Sequence, residues 1–402
     1  MRILFVNKFL YPRGGAETYC LELARELASR GHEVQFFGMR DQNNTVGNAA
    51  GIYAKPMDFH APGLKKLSYP LRVLYSRDAK RKALRLAEAF RPDIVHLNNF
   101  HFHLTPSILE AFRDKGVPAV MTAHDYQLVC PNHLLYVPSP GKLCTDCVQR
   151  PSLNCVRNKC IHGSAPRSAL GYLEARLYRL KDSYSAIDRI ICPSLFMKRT
   201  LDAQPRFADK TVFLRNFCPP CSEGAAEKGH YVIYFGRLSP EKGIPNLLEA
   251  AGRLPDIPFI IAGDGPLRAQ VENCGYGNVK YAGFRTGGEL EALVRGARFS
   301  VCPSVCFENC PLSVIESQKL GTPCLATGIG GMKELVSEEC RVPGPTAEAL
   351  ARAVRELYYS GERLRRLTAE LDARVKDYPG PAVYADRLLD IYSQAILSHK
   401  AR

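Results

Sequence analysis

The sequence predicts an α/β protein of two successive domains, each built on a parallel β-sheet covered by helices. The chain has 402 residues, which is long for one domain and comfortable for two. Short apolar runs with β-branched residues alternate with amphipathic helical stretches, as in β-α-β units. One Pro-, Gly-, Ser- and Ala-rich stretch, 219–229, interrupts this alternation, which then begins again. That stretch is therefore the expected linker.

The individual elements follow from the same alternation. The first strand is expected at 3–6, followed by a Gly-containing loop at 12–15 and a helix at about 16–30. Further strands of the first domain are predicted within GHEVQFF, PDIVHL, VPAVMTAH, DRIICPS and TVFLRNF, with helices at about 71–90, 105–115 and 167–183. The second domain is predicted to have strands within YVIYFGRL, IPFIIAGDG, NVKYAGF, ARFSVCPS and TPCLATG. We place the domains at 1–217 and 218–380, with a C-terminal helix at 381–402 returning to the first.

The positive charge of the chain is concentrated in its first half. The net charge is +14, of which residues 1–200 carry +13 and the remainder +1. A field of this sign attracts anionic partners. Nucleic acid, anionic lipid and a phosphorylated acceptor are three such partners. No helix-turn-helix, RNA-recognition or zinc-finger pattern is present, so nucleic acid is not an expected partner. No apolar run approaches the roughly 20 residues of a membrane span, and the N-terminus does not resemble a signal peptide. The expected location is cytoplasmic, with peripheral binding to the inner face of the membrane.

A basic stretch at 55–91 accounts for much of this charge. It contains ten Lys or Arg residues against three acidic ones. The helix expected after Pro70 also has an apolar side, formed by Leu71, Leu74, Tyr75, Leu84, Ala87 and Phe90. Two interpretations stay open: the helix lies on an anionic membrane, or its apolar side packs on the sheet and its basic side is solvated. An anionic soluble acceptor would also explain the charge.

Two cations and two carboxylates of the second domain form the candidate chemical site. Arg237 and Lys242 follow a strand, five residues apart, and suit a diphosphate. Glu308 and Glu316 have an E-x7-E spacing. A helix is expected to start near Pro311, which would place Glu316 inside the helix and leave Glu308 in the preceding loop.

The expected start of that helix gives it a second role. Asn309 is the expected N-cap of the helix. The backbone near Cys310, Leu312 and Ser313 would then direct N–H groups toward phosphates. Without the neighbouring motifs, these carboxylates would be ordinary helix-end residues.

The first domain offers a glycine pair and a histidine at predicted strand ends. Gly14 and Gly15 follow the first strand, where glycine permits close approach of a ligand to the backbone. The G-x-G-x-x-G fingerprint of NAD-binding proteins is absent from this loop. His124 ends the strand VPAVMTAH; it is either a site residue or a structural turn histidine.

Five of the fifteen cysteines fall within 31 residues. They are Cys130, Cys144, Cys147, Cys155 and Cys160, in an irregular Pro-, Asn- and Gly-rich insertion at 130–162. Cys144 and Cys147 have the C-x2-C spacing of a metal-binding pair. Four thiolates favour a structural Zn²⁺, with an iron–sulfur cluster as second choice. Unligated thiols or a redox disulfide are the alternative.

Several stretches together resemble the retaining glycosyltransferases of family four. The stretches are YFGRLSPEKGIPNLL at 234–248, IIAGDGP at 260–266 and SVCFENCPLSVIESQKLGTPCLAT at 304–327, with GGAE at 14–17 and HD at 124–125. The resemblance implies the GT-B architecture, two Rossmann-like domains with an interdomain cleft. It implies transfer of a sugar from a nucleotide-diphospho-sugar to a hydroxyl of a glycan or lipid-linked acceptor. The expected pathway is synthesis of cell-surface polysaccharide or glycolipid.

The same resemblance implies roles for individual residues. Glu316 would bind the ribose and Glu308 the transferred hexose, with His124 beside the donor sugar. The backbone after Gly283 and Phe284 would read the edge of the base. No catalytic metal is expected, and the reaction would proceed on the front face of the sugar. Two alternatives remain open: a nucleotide-sugar epimerase of the same architecture, and a non-catalytic partner in polysaccharide assembly.

Overall fold

The computed structural model describes residues 1–57, 69–218, 221–222, 224 and 227–401 and divides the chain into two compact units. The first unit consists of Met1–Arg215 together with the chain from Pro381 onward. The second unit is Asn216–Gly380. Each unit has its own parallel sheet, so the predicted α/β class with two parallel-sheet domains is confirmed.

The first unit is built on a six-stranded sheet. Its strands, with a separate two-stranded hairpin β5–β6, are β1 (Arg2–Val6), β2 (Glu33–Phe37), β3 (Ile94–Leu97), β4 (Ala119–Thr122), β5 (Tyr136–Val137), β6 (Lys142–Leu143), β7 (Arg189–Cys192) and β8 (Thr211–Phe213). The sheet order is β2-β1-β3-β4-β7-β8, and all five neighbouring pairs are parallel. β3 and β4 are buried along their whole length, as expected for a sheet covered on both faces.

Nine helices belong to the described part of the first unit. They are α1 (Gly15–Ser29), α2 (Tyr69–Leu74), α3 (Arg77–Phe90), α4 (Ser107–Asp114), α5 (Asn154–Arg157), α6 (Ala165–Leu180), α7 (Leu195–Asp202), α8 (Pro205–Ala208) and the C-terminal helix Pro381–Lys400. The single helix predicted at about 71–90 is therefore two helices, α2 and α3. The break occurs because Ser76 caps α3, its side chain accepting from the N–H of Ala79 at 3.2 Å.

A buried polar network attaches the C-terminal helix to the sheet of the first unit. The hydroxyl of Tyr384 lies 2.6 Å from that of Tyr19, which is 3.0 Å from the hydroxyl of Thr122. His96 bridges Thr122 and Tyr392, at 2.8 Å and 2.6 Å. Every one of these groups is buried, so each needs the partner it has here.

The second unit is built on a five-stranded parallel sheet. Its strands are β9 (Val232–Phe235), β10 (Phe259–Ala262), β11 (Val279–Gly283), β12 (Phe299–Cys302) and β13 (Cys324–Ala326), in the order β11-β10-β9-β12-β13. Its helices are α9 (Ile244–Gly252), α10 (Arg268–Glu272), α11 (Gly287–Gly296), α12 (Leu312–Lys319), α13 (Ala347–Tyr359) and α14 (Gly361–Val375). One core cluster, from Cys218 to Tyr378, unites the strands with α9, α12 and α13.

The strand orders locate the ligand-binding edge of each sheet. In open parallel sheets ligands bind beyond the strand C-termini, where the direction of strand progression reverses. In the first unit this point lies between β1 and β3, and in the second between β9 and β12. The loops that follow these four strands are therefore the ones to examine for function.

Candidate active site

The loop after β9 presents two cations. Arg237 is exposed, while Lys242 ends a short 3₁₀ turn at Pro240–Lys242. The next residue, Gly243, has φ +76°. A Cβ at Gly243 would lie 1.9 Å from the carbonyl oxygen of Pro303, so only glycine allows the two loops this close approach. The turn thereby delivers Lys242 to the loop that follows β12.

Lys242 forms an ion pair with Glu308, the first carboxylate of the E-x7-E pair. The Lys242 Nζ and Glu308 Oε1 atoms are 2.5 Å apart, and the same oxygen accepts from Ser304 Oγ at 2.6 Å. Glu308 is buried, whereas the Lys242 side chain is 32% exposed to solvent. Burial alone would lower the pKa of Lys242, but the Glu308 carboxylate outweighs it and raises that pKa well above its usual range.

The backbone of Glu308 is held by a glycine turn. The Glu308 carbonyl accepts from the N–H of Gly331 at 2.7 Å. The preceding Gly330 has φ +69°, and a Cβ there would lie 2.4 Å from the Glu308 carbonyl oxygen. Two loops remote in sequence, the turn carrying Lys242 and the turn carrying Gly330, thus fix the position of one carboxylate.

The N-cap of helix α12 lies two residues later than the sequence predicts. Its N-cap is Pro311, not Asn309, and no side chain caps it. Pro311 has ψ 120°, so its backbone is still extended and the helix begins at Leu312. Leu312 and Ser313 therefore contribute the first backbone N–H groups of α12, while Asn309 and Cys310 are buried in the loop before it. An eight-residue helix with an uncapped N-terminus favours an anion at this end.

Glu316, the second carboxylate of the E-x7-E pair, lies one turn into α12. Burial, with the Glu291 carboxylate as the second cause, raises the pKa of Glu316 from 4.5 to about 7. Neutral hydroxyl groups that donated hydrogen bonds to this buried carboxyl group would stabilise its charged form.

The Glu316 shift makes stability depend on pH. The folded chain retains this proton after the unfolded chain has released it, so Glu316 lowers stability as pH rises from 4.5 to about 7. We expect Glu316→Gln to be more stable than the wild type at pH 8 by up to about 3 kcal/mol. The gain should shrink below about 1 kcal/mol at pH 5. Urea unfolding of both proteins at the two pH values measures this, and a gain independent of pH would contradict the raised pKa.

The end of β11 exposes an aromatic ring. Gly283 has φ +77°, and its carbonyl accepts from the N–H of Gly263 at 2.9 Å. The next residue, Phe284, is 62% exposed. An exposed ring beside a backbone turn offers a stacking surface to a planar ligand.

The loop after β1 brings Gly14 and Gly15 to the N-terminus of α1. Gly14 is the N-cap, with extended backbone and no side chain to occupy the helix end. Gly15 is the first helical residue, and both glycines are exposed. The first turn of this 15-residue helix is therefore open to an anion.

His124 lies just beyond the end of β4, held by two residues that the sequence analysis did not predict. Asn98 Oδ1, after β3, accepts from His124 Nε2 at 2.9 Å. The Tyr19 ring contacts the imidazole edge-on, with centroids 4.9 Å apart. Burial lowers the pKa of His124 to about 4 despite the neighbouring Asp125, so the imidazole is neutral at neutral pH. The position of Asn98 at a strand C-terminus, next to the switch point, was the signal that could have identified it.

The five clustered cysteines line one small cavity with Pro131, Asn132 and Tyr136. Across the described part of the chain, however, no three His, Cys, Asp or Glu side chains are arranged to hold a metal ion. The prediction of a structural zinc or iron–sulfur site at these cysteines is therefore not supported. Cys147, Cys155 and Cys160 pack with Val137 as a small apolar cluster. Burial also raises the pKa of Cys130 to about 12 and that of Cys147 to about 11, so both thiols are protonated at neutral pH.

Comparison with known proteins identifies the class of enzyme and the family to which this chain belongs. A model described as glycosyl transferases group 1 matches residues 221–371, which contain the E-x7-E segment. The chain is therefore a glycosyltransferase enzyme. The model of Glycosyltransferase Family 4 matches residues 13–218, just over half of the chain, and the chain belongs to that family.

Curated relatives and solved structures agree with this assignment. The chain is 24% identical to a D-inositol 3-phosphate glycosyltransferase of Salinispora tropica, over 97% of this chain and 83% of the relative. It is 24% identical to a GDP-mannose-dependent alpha-(1-6)-phosphatidylinositol dimannoside mannosyltransferase of Mycobacterium tuberculosis, over 93% and 92%. Sucrose-phosphate synthase from Thermosynechococcus elongatus superimposes with a TM-score of 0.70 at 17% identity, covering 99% of each chain. Anabaena HepE in complex with UDP-glucose gives 0.66 at 17%, covering 98% and 100%. These structures confirm the GT-B fold.

Proposed function

We propose that the chain is a retaining glycosyltransferase that moves a sugar from a nucleotide-diphospho-sugar to an acceptor hydroxyl in cell-surface polysaccharide or glycolipid synthesis. The main support for this proposal is the Lys242–Glu308 ion pair, whose carboxylate lies in the loop before the uncapped N-terminus of α12. This arrangement combines a cation, open backbone N–H groups and a fixed carboxylate, which a charged diphosphate with an attached sugar requires. Similarity to the phosphatidylinositol dimannoside mannosyltransferase supports a glycolipid acceptor, and similarity to the D-inositol 3-phosphate glycosyltransferase supports a phosphorylated one.

Each group of the second unit has a separate task in this proposal. Arg237 and Lys242, with the first N–H groups of α12, stabilise the negative charge that develops on the departing diphosphate. Glu316 accepts hydrogen bonds from the ribose, and Glu308 orients the hexose. The backbone after Gly283 and Phe284 contacts the base. Asn309, Cys310, Leu312 and Ser313 form the loop and helix start beside the phosphates.

Three residues of the first unit have proposed roles in donor binding as well. Gly14 and Gly15 allow the backbone at the start of α1 to approach the diphosphate. His124 is the group placed beside the transferred sugar. Because its Nε2 donates to Asn98, its Nδ1 is an acceptor suited to a sugar hydroxyl. We assign no general base, and retention follows if the acceptor attacks on the face that the nucleotide leaves.

The experiment that tests this function begins with a thermal-shift panel of nucleotide sugars, because a bound donor raises stability by mass action. The stabilising donor is then incubated with and without candidate acceptors, and released nucleotide and product anomer are measured. Acceptor-dependent nucleotide release with retained anomeric configuration is expected. An inverted product would overturn retention. A donor converted to its epimer without nucleotide release would identify an epimerase, and no conversion with any donor would favour a non-catalytic partner.

Peripheral membrane binding is the second part of the proposal, and the structure changes the surface that could support it. The apolar side of α3 is largely unavailable to lipid, because Ala83, Leu86 and Phe90 are buried. Lys65, Lys66 and Asp58 of the basic stretch lie outside the described residues. In the described part, Arg77, Arg81 and Arg85 are exposed at four-residue intervals along α3.

Exposed leucines lie on two other helices of the first unit. Leu71 of α2 is 72% exposed, and Leu173 and Leu180 of α6 are 53% and 77% exposed. Helices α2 and α6 contact each other. A surface with both exposed large apolar side chains and exposed cations has the composition that anionic interfaces favour. No helix in the described chain is both long and apolar enough to cross a bilayer.

We expect the chain to co-sediment with vesicles containing anionic phospholipid, and less so as salt increases. Arg81→Glu with Arg85→Glu should weaken binding strongly, since each cation near an anionic surface contributes about 1 kcal/mol. Arg25→Glu is the matched control, because Arg25 is exposed in the same unit and paired with Glu22. Equal binding to neutral vesicles, or no binding, would leave these helices as ordinary parts of the fold.

A further inference from the structure

A pair of cysteines lies at the start of the second unit. Cys218 and Cys221 have a C-x2-C spacing, with two prolines between them in the sequence. Their sulfur atoms are 3.9 Å apart. The thiols are therefore in contact. Because a disulfide bond is about 2.05 Å long, a small movement would bring the sulfur atoms to bonding distance. C-x2-C pairs are a recurrent redox arrangement in α/β proteins.

The two thiols differ in access and in acidity. Cys218 is fully buried in the core of the second unit, whereas Cys221 is partly exposed. Their mutual hydrogen bond lowers the pKa of Cys221 and raises that of Cys218. The thiol that solvent reaches is therefore also the one that ionises first, which is the combination required of an attacking thiol.

We propose that Cys218 and Cys221 form a reversible disulfide that controls nucleotide binding by the second unit. The oxidant is a low-molecular-weight disulfide. The Cys221 thiolate attacks one of its sulfurs and expels one thiolate, which takes up a proton. Cys218 then loses its proton and attacks the Cys221 sulfur, expelling the second thiol. Two cysteine thiols and one small disulfide thus become one protein disulfide and two small thiols.

The neighbours of Cys221 connect this bond to the donor site, and this step rests on the proposed function. The backbone N–H of Ser222 donates to Glu291 Oε2 at 2.9 Å, and the Ser222 hydroxyl binds the same oxygen. Glu291 in turn raises the pKa of Glu316, the proposed ribose ligand. The buried Cys218 is fixed by the core, so Cys221 must move to close the bond.

Movement of Cys221 draws Ser222 away from Glu291. The Glu291 carboxylate then loses two hydrogen-bond donors and presents more uncompensated negative charge toward Glu316. On the other side of Cys218, Asn216 stays in contact with the loop before α12, its Nδ2 donating to the Cys310 carbonyl at 3.4 Å. The added negative charge near Glu316 disfavours an anionic nucleotide, so the oxidised form should bind it more weakly.

The first experiment tests the bond itself. Reduced full-length protein is incubated with oxidised glutathione, alkylated and mapped by peptide mass spectrometry. An internal Cys218–Cys221 disulfide is expected, reversible by dithiothreitol. It should be absent from Cys221→Ser and unchanged in Cys274→Ser, since Cys274 is a partly exposed thiol of the same unit. Stable glutathione adducts on Cys221, or pairing of either cysteine elsewhere, would overturn the proposal.

The second experiment tests the coupling to the donor site. Binding of UDP, GDP and ADP to reduced and oxidised protein is measured by calorimetry. Oxidation should lower the affinity for the nucleotide that binds by about fivefold, which is at the low end of the usual coupling between two sites. Oxidant should have no effect on Cys221→Ser. Equal affinity of the two forms would overturn the control of binding. No binding by the reduced form would instead contradict the proposed function, while the mapping result would stand independently.

Discussion

Arg237→Ala is expected to lower kcat/KM by about 30-fold to several-thousand-fold while leaving the thermal stability unchanged. The loss corresponds to the roughly 2–5 kcal/mol associated with truncating one partner of a charge-assisted contact. Stability should not change, because Arg237 is exposed beyond the end of β9 and its side chain is no part of the core. The measurement is steady-state turnover with the donor found by the thermal-shift panel, together with a melting curve.

The control for Arg237 is another arginine of the same unit. Arg253 pairs with Glu249 and Glu348 on the surface, so Arg253→Ala should change turnover little. Arg237→Lys should recover part of the activity, because lysine keeps the charge but loses bidentate geometry. If Arg237→Ala turned over near normally, Arg237 would not belong to the diphosphate site.

The second large effect is expected at Lys242, where function and stability are linked. Lys242→Met leaves the buried Glu308 carboxylate with Ser304 but without its cation. We expect loss of turnover and a fall in unfolding free energy of about 3 kcal/mol, the low end for a broken buried pair because Lys242 is partly exposed. Urea unfolding and the turnover assay measure the two effects.

A double variant separates those effects. Lys242→Met combined with Glu308→Gln removes the buried charge that Lys242 no longer neutralises, so most of the lost stability should return. Turnover should remain lost, because neither the cation nor the carboxylate is restored. Recovery of turnover in the double variant would show that Lys242 and Glu308 only hold the loops. Failure to recover stability would show that the pair does not account for the cost of the single change.

The strands were predictable because each is a short, nearly continuous apolar run. β1 and β9 illustrate this, because both are buried almost entirely, as expected for strands of a parallel sheet covered on both faces. The positions of Gly14 and Arg237 at strand ends followed directly. Helix boundaries were less predictable, since the break at Ser76 and the start of α12 after Pro311 depend on local hydrogen bonds and dihedral angles.

The contacts of the candidate site depend on residues far apart in the chain. Lys242 and Glu308 are 66 positions apart, and nothing in either segment alone indicates a contact at 2.5 Å. His124 is held by Asn98 and Tyr19 from two other segments. Cysteine spacing predicted a metal site, yet spacing does not determine whether sulfur atoms converge or pack as apolar groups.

The sequence by itself therefore determined the α/β class, the two sheets, the order of their elements and the residue types at the strand ends. These features depend on local periodicity and on glycine and proline, which act within a few residues. Only the tertiary structure decided the strand order that creates the switch points, the Lys242–Glu308 pair and the glycine turns that hold it. It also decided which side of α3 is buried and which thiols touch. The physical reason is that packing and charge pairing act between segments whose separation in sequence gives no measure of their distance in space.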